Sequence, residues 1–373
     1  MVNKERDNVK ILYTANTDMH INLCHIPYIK ELSKKHIVHV ATNSFLNINY
    51  ASEKISLPIK RTPFHFSNIK AIFKLRKIIK QEKYDLIITN TPMGSVVTRL
   101  AAKGCKIKTI YIAHGFHFYK NCPKINYLLY YPVEKYLSKF TNLIITINQE
   151  DYLFAIQHFK TNIKFIPGIG FNQNNFNNKL TSKEILILKN KLGITKNDFV
   201  ISYIAEISKR KRQLYLLECL SKLNNSNIKL VLVGNNILGN KIDKTIKKYN
   251  LEDNVILLGF RNDISDILDI TDLVISTSKQ EGLPLNIMEA MYKNKNILVT
   301  DCRGNRDLIN NDNGKIVNLN DQNELIEGIN YFIKNRKIKY DNKKTALNYS
   351  IDNIKMEYIN IFNDYLGVKN EEK

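Results

Sequence analysis

The 373-residue chain has no apolar run near the roughly 18 residues that span a bilayer, so no membrane-spanning helix is expected. Its first eight residues are mixed in charge, and the apolar run Val9–Tyr13 is too short for a signal peptide. Secretion is therefore not expected. Cysteine is sparse: Cys24, Cys105, Cys122, Cys219 and Cys302 are odd in number, widely spaced and never C-x-x-C. Neither a disulfide framework nor a zinc site follows from that spacing, and a reducing cytoplasm is the simplest setting. No G-x-G-x-x-G follows an early strand, which argues against a dinucleotide-dependent oxidoreductase. No D-x-D lies in a loop after a strand; Asp266, Asp269 and Asp272 are spaced by three and read as helix-face and strand-entry residues. No metal is required and no cofactor is implied. Recognisable RNA or DNA modules are absent, and the aromatics are not interleaved with the basic runs, so nucleic acid is not the expected partner. No repeat of 20–50 residues is visible.

Hydrophobic residues make up 44% of the chain and charged residues 24%, a globular composition of two-domain length. Negative charge is in deficit: the formal net charge is +21. Residues 1–170 hold 25 Lys and Arg against 10 Asp and Glu, whereas the rest holds 31 against 25. The positive field belongs mostly to the first half, which suits an anionic partner such as a phospholipid surface or a lipid pyrophosphate. A general enrichment in Lys, Asn and Ile is the bland alternative.

Short β-rich runs alternate with helical patterns throughout. They are Val9–Thr14, Ile37–Ala41, Asp85–Asn90, Thr109–Ile112, Asn142–Ile147 and Ile163–Ile166, then Phe199–Ala205, Ile228–Gly234, Val255–Gly259, Asp272–Thr277, Asn296–Thr300 and Lys315–Val317. Most are continuously apolar, as strands buried on both faces should be. Amphipathic stretches such as Ile69–Lys83 and Lys211–Leu223 lie between them. The alternation predicts an α/β protein of two doubly wound parallel sheets. The expected division is a first domain over 1–170, a Gly- and Asn-rich linker over 171–180, a second domain over 181–345, and a C-terminal helix and tail over 346–373. Such sheets bind ligands beyond the carboxyl ends of their strands, so the site is expected in a cleft fed by both halves.

Three segments after strands carry candidate chemistry. In Glu281-Gly282-Leu283-Pro284-Leu285-Asn286-Ile287-Met288-Glu289, Pro284 suits the first turn of a helix whose free amides form an anion seat. Capping by Glu281 and a solvated Glu289 is the plain alternative. Lys209-Arg210-Lys211-Arg212 places four cations at a strand-to-helix turn, able to hold a diphosphate or simply to face solvent. In Ala113-His114-Gly115-Phe116-His117-Phe118-Tyr119-Lys120, two histidines flank a Gly-Phe pair.

Together these segments resemble the retaining glycosyltransferases of family 4, with the two-domain GT-B fold. Glu281-x7-Glu289 matches that family's signature, and Lys211 falls where it carries a phosphate-binding lysine. The branch that builds bacterial capsule and exopolysaccharide repeat units is the more specific likeness. Its pieces here are His20-Ile21 with His25, Arg61-Thr62-Pro63-Phe64, Thr91-Pro92, the His114–Lys120 string, Tyr130–Glu134, Ile147–Tyr152 and Thr300–Ile309.

The resemblance implies a UDP-sugar donor and roles for particular residues. Glu289 would hold the ribose hydroxyls, and Glu281 the donor sugar. The backbone of Gly282, Leu283 and Leu285 would lie near sugar and phosphates, and Arg210 and Arg261 would stand on the donor side, Arg261 near the base. Lys211 would neutralise the departing diphosphate, and His114 would lie at the reacting face. His20, His25 and His117 are acceptor-side candidates. Two departures stand out: Glu206 replaces the arginine usually found five residues before the lysine, and Thr14-Ala15-Asn16-Thr17-Asp18 replaces a glycine-rich loop. The related enzymes act on lipid-linked acceptors, and Ile69–Lys80 reads as a basic amphipathic helix. The expectation is a cytoplasmic enzyme, peripheral on the inner face of the cell membrane. It would extend an undecaprenyl-pyrophosphate-linked capsule, exopolysaccharide or O-antigen unit. A GT-B transferase with a soluble acceptor, an inactive relative and a basic nucleic-acid-binding protein are the alternatives.

Overall fold

The computed structural model describes residues 9–223, 225–336, 338 and 340–368. The chain divides into two compact units, residues 1–170 with 351–373, and residues 171–350.

The first unit holds seven strands: β1 (Lys10–Thr14), β2 (Ile37–Thr42), β3 (Glu53–Ser56), β4 (Leu86–Asn90), β5 (Lys108–Ala113), β6 (Leu143–Thr146) and β7 (Asn162–Phe165). They form one parallel sheet in the order β3-β2-β1-β4-β5-β6-β7. The second unit holds β8 (Phe199–Ile204), β9 (Ile228–Val233), β10 (Val255–Gly259), β11 (Leu273–Ser276), β12 (Asn296–Thr300) and β13 (Lys315–Val317), all parallel, in the order β10-β9-β8-β11-β12-β13. The central strands β1, β4, β8 and β11 are almost wholly buried, which explains their unbroken apolar runs. Each sheet reverses its winding once, between β1 and β4 and between β8 and β11. Those switch points are where an open α/β sheet leaves a crevice for a ligand.

Several expectations change. The edge strand β3 (Glu-Lys-Ile-Ser) was not foreseen: only Ile55 is buried, so it lacks an apolar run. The first amphipathic helix spans Phe66–Glu82 and starts three residues early, with the His65 side chain capping Ser67 N–H at 3.1 Å. The stretch 171–180 is packed: Phe171 and Phe176 are buried, and Phe171 bridges to Ser350. The final helix, Ile351–Leu366, belongs to the first unit. Ile354, Tyr358 and Phe362 form its buried stripe, and Tyr358 donates to the Gly168 carbonyl at 2.9 Å. Among the described residues no helix is long and apolar enough to cross a membrane.

Candidate active site

In the second unit, the turn after β8 and the loop after β11 meet at the switch point. Tyr203 on β8 donates its hydroxyl to the Lys211 carbonyl at 2.7 Å, and Thr277 after β11 donates to the same oxygen at 3.0 Å. Thus pinned, the turn aims two cations at one carboxylate. Lys211 Nζ lies 2.5 Å from Glu281 Oε1, and Arg210 Nη1 lies 2.9 Å from Glu281 Oε2. Lys211 and Glu281 are buried. Burial alone would raise the Glu281 pKa; the Lys211 and Arg210 charges overcome it and hold it down at about 2. Two cations and one anion leave a net charge of about +1. An ammonium has three donors, so capacity remains for a phosphate oxygen.

The helix that follows spans Leu285–Tyr292, with Pro284 at its N-cap in extended geometry rather than inside its first turn. Among the described residues, the amides of Gly282, Leu283, Leu285 and Asn286 donate to no backbone carbonyl. The buried Asn286 Nδ2 also lacks a partner. Glu289, one turn into the helix, is half-buried rather than fully solvated. Burial pushes its carboxyl up to about 8, and among the described residues no cation or hydrogen-bond donor meets it. The loop is braced from β12: Arg303 Nε donates to the Glu281 carbonyl at 3.0 Å, and Glu281 N–H donates to the Arg303 carbonyl at 3.2 Å. Gly304, at φ +82°, approaches so closely that a Cβ would stand 2.6 Å from the Gly282 oxygen. Sequence reasoning gave Arg303, Gly304 and Asn286 no role, because their signal is spatial.

Two other predicted residues lie apart from this cluster. Arg261, after β10, pairs with Asp263 through Nε at 2.7 Å, and no contact to Lys211 or Glu281 accompanies it. Glu206 is exposed and engages the cluster only as a weak field at Arg210; its backbone carbonyl accepts from Gln213. The acid is therefore not buried against a diphosphate seat.

In the first unit three predicted histidines come together. Pro27 cannot continue the helix Asp18–Cys24, and the break falls at His25. His25 Nε2 lies 3.2 Å from Nε2 of His20 and 3.2 Å from Nε2 of His114, which follows β5. Tyr13 on β1 lies 3.0 Å from His25 Nδ1. Burial drives all three histidines toward the neutral form, His20 down to about 4. Either tautomer of the neutral His25 links these groups, and which ring nitrogen carries the proton sets which of Tyr13, His20 and His114 donates to it. Ligating nitrogens within 4.8 Å of one another are also a donor set that could hold zinc, although the rings satisfy one another without an ion. His117 is not in this cluster; its ring packs on Tyr130 at 4.7 Å, while Phe116 and Phe118 on either side are buried.

A cavity of about 780 Å³ adjoins the cluster within the first unit. Asn16, Thr17, His20, Arg61 and His117 line it together with apolar side chains of two helices. Asn16 is buried just after β1, and among the described residues both polar atoms of its side-chain amide lack partners. Thr91 beside it is strained at φ +62°, in a region β-branched residues avoid.

Family models match both units: "Glycosyl transferase 4-like" over residues 10–148 and "Glycosyl transferases group 1" over 184–349. The chain belongs to the family 4 glycosyltransferases of GT-B fold. A putative glycosyltransferase EpsD of Bacillus subtilis is 34% identical over 98% of this chain and 99% of its own length. A UDP-Gal:alpha-D-GlcNAc-diphosphoundecaprenol alpha-1,3-galactosyltransferase of Escherichia coli is 30% identical over 70% of each chain. Among solved structures, Anabaena Alr3699/HepE in complex with UDP and glucose superposes with a TM-score of 0.80 at 23% identity, covering 96% of this chain and 100% of that one.

Proposed function

We propose that this glycosyltransferase is a retaining enzyme with a UDP-sugar donor. It transfers a hexose or N-acetylhexosamine to a polyprenyl-pyrophosphate-linked capsule, exopolysaccharide or O-antigen unit, and it works peripherally on the inner face of the cell membrane. The observation that carries the reading is the second unit's switch point, where a net positive Lys211–Arg210–Glu281 cluster adjoins free amides and the unpartnered Glu289. The similarity to the Escherichia coli UDP-Gal:alpha-D-GlcNAc-diphosphoundecaprenol galactosyltransferase supports both the donor and the lipid-linked acceptor.

Ribose hydroxyls donate to Glu289. The diphosphate takes the amides of Gly282, Leu283 and Leu285 together with Lys211 and Arg210. As the sugar–phosphate bond breaks, charge grows on the departing oxygen, and these preformed cations and dipoles lower that barrier. The acceptor oxygen bonds to the same face of the sugar and passes its proton to the leaving phosphate. No carboxylate nucleophile takes part, and no step uses a metal. The test is transfer from a panel of UDP-sugars to a lipid-linked acceptor, with and without a chelator. A product whose anomeric configuration, read by NMR, matches the donor and a rate indifferent to chelator are expected. Inversion, or loss of turnover on chelation, contradicts the reading.

A further inference from the structure

Most of the first unit's cavity wall is apolar, and Glu134, which also lines it, is taken up by Arg99 at 2.7 Å. Met93, Val96 and Leu100 line it from one face of the helix Pro92–Ala102. At 1.5 Å per residue they mark out about 10 Å, leading away from the end of β4. Leu129 and Val133 line it from the helix Lys124–Ser138. Sugar hydroxyls against such walls would lose water without regaining hydrogen bonds. The polar part of the lining is different in kind: among the described residues the buried amide of Asn16, just after β1, has no partner, and Arg61 lies near enough to His20 for its charge to be felt there. A ligand that satisfies both parts has a polar, anionic head and a hydrocarbon tail.

The rim points the same way. Phe64 and Leu128, both lining residues, are 81% and 69% exposed. On the neighbouring helix Phe66–Glu82 the outward face carries Phe66, Ile69 and Phe73 beside Lys70, Lys74 and Lys77. Apolar side chains flanked by lysines suit the surface of an anionic bilayer.

We propose that this cavity holds the first isoprene units of a prenyl diphosphate lipid, drawn from the membrane past Phe64 and Leu128, with its diphosphate met by Arg61 and Asn16. The proposal rests on the lipid-linked acceptor reading above and adds the place where the lipid itself is recognised.

Calorimetric titration with geranylgeranyl diphosphate and with inorganic diphosphate tests it, using the full chain and, in parallel, UDP. The prenyl compound should bind at least about ten-fold more tightly than diphosphate. Val96→Trp and Leu100→Trp fill the tunnel from half-exposed positions. Each should bring prenyl binding down to the diphosphate level and leave UDP affinity unchanged. Equal binding of the two probes, or wild-type prenyl affinity in both filled variants, overturns the proposal even where UDP binds normally. Loss of UDP binding by the wild-type chain would instead strike the donor reading. Sedimentation showing a dimer that Phe64→Lys and Leu128→Lys dissolve would assign the rim to a second copy and also overturn it.

Discussion

Glu289 and Glu281 share one loop and helix yet sit at opposite ends of the carboxylate range. Glu281 faces two cations and is held at about 2, whereas Glu289 faces none among the described residues and rises to about 8. Hydroxyl donors favour the ionised form of Glu289, so binding a ribose should release a proton. UDP affinity should therefore rise with pH up to about 8 and then level, and calorimetry in buffers of different ionisation enthalpy should register the released proton. Glu289→Gln should flatten the profile; an unchanged profile contradicts the assignment. For the free protein the linkage has the opposite sign. A pKa raised above its unfolded value contributes stability that is complete below about pH 4.5 and is lost as pH rises toward about 8. Glu281 contributes in the usual carboxylate sense: its share is present above about pH 4.5 and is lost as pH falls toward about 2. Lys211→Ala should lower kcat by about 10²–10³-fold, the range seen when a preorganised charge-stabilising donor is removed. A kcat within a factor of a few of wild type would remove Lys211 from the leaving-group role.

At the scale of elements, the backbone around Glu281 is as constrained as its charges. Gly304→Ala puts a methyl into the Gly282 carbonyl at a left-handed φ, so it should cost about 1–3 kcal/mol in urea unfolding and weaken UDP binding together with stability. Wild-type UDP affinity in that variant would show that the loop relaxes freely. This brace also marks where the sequence stopped being legible. Buried strands announced themselves by unbroken apolar runs, and the segments of Glu281, Glu289 and Lys211 by following strands, while the roles expected of those residues came from the family resemblance. The edge strand β3 has one buried side chain and thus no pattern to read. Arg303 and Tyr13 act on partners distant in sequence, and no local spacing reports a fold-dependent contact. The three histidines were each visible; their convergence on His25 was not, because it depends on the helix break before Pro27.

At the scale of the whole molecule, each unit is built on its own sheet, and the last helix returns to complete the first unit. Tyr358 packs on Tyr28 with ring centroids 5.0 Å apart, and Lys355 pairs with Glu31 at 3.3 Å. Removing residues 351–373 should therefore destabilise the first unit, although they follow the second in sequence. The loss should exceed the roughly 3–5 kcal/mol of a single large-to-small aromatic substitution in a core. Proteolysis should then cut first within residues 9–170; an unchanged pattern would mean that the helix merely rests there. The excess of positive charge over residues 1–170 lies on the same unit as the apolar cavity and the lysine-rich helix, consistent with one unit meeting a lipid and the other a nucleotide.

The central claim is a UDP-sugar site at the second unit's switch point, and thermal unfolding across a panel of nucleotides and nucleotide sugars tests it most directly. Ligand bound to the native state raises Tm with occupancy. The account predicts a rise with UDP and a UDP-sugar, kept in the presence of a chelator and lost in Glu289→Ala. No rise with any nucleotide at millimolar concentration, or an equal rise in Glu289→Ala, would contradict it.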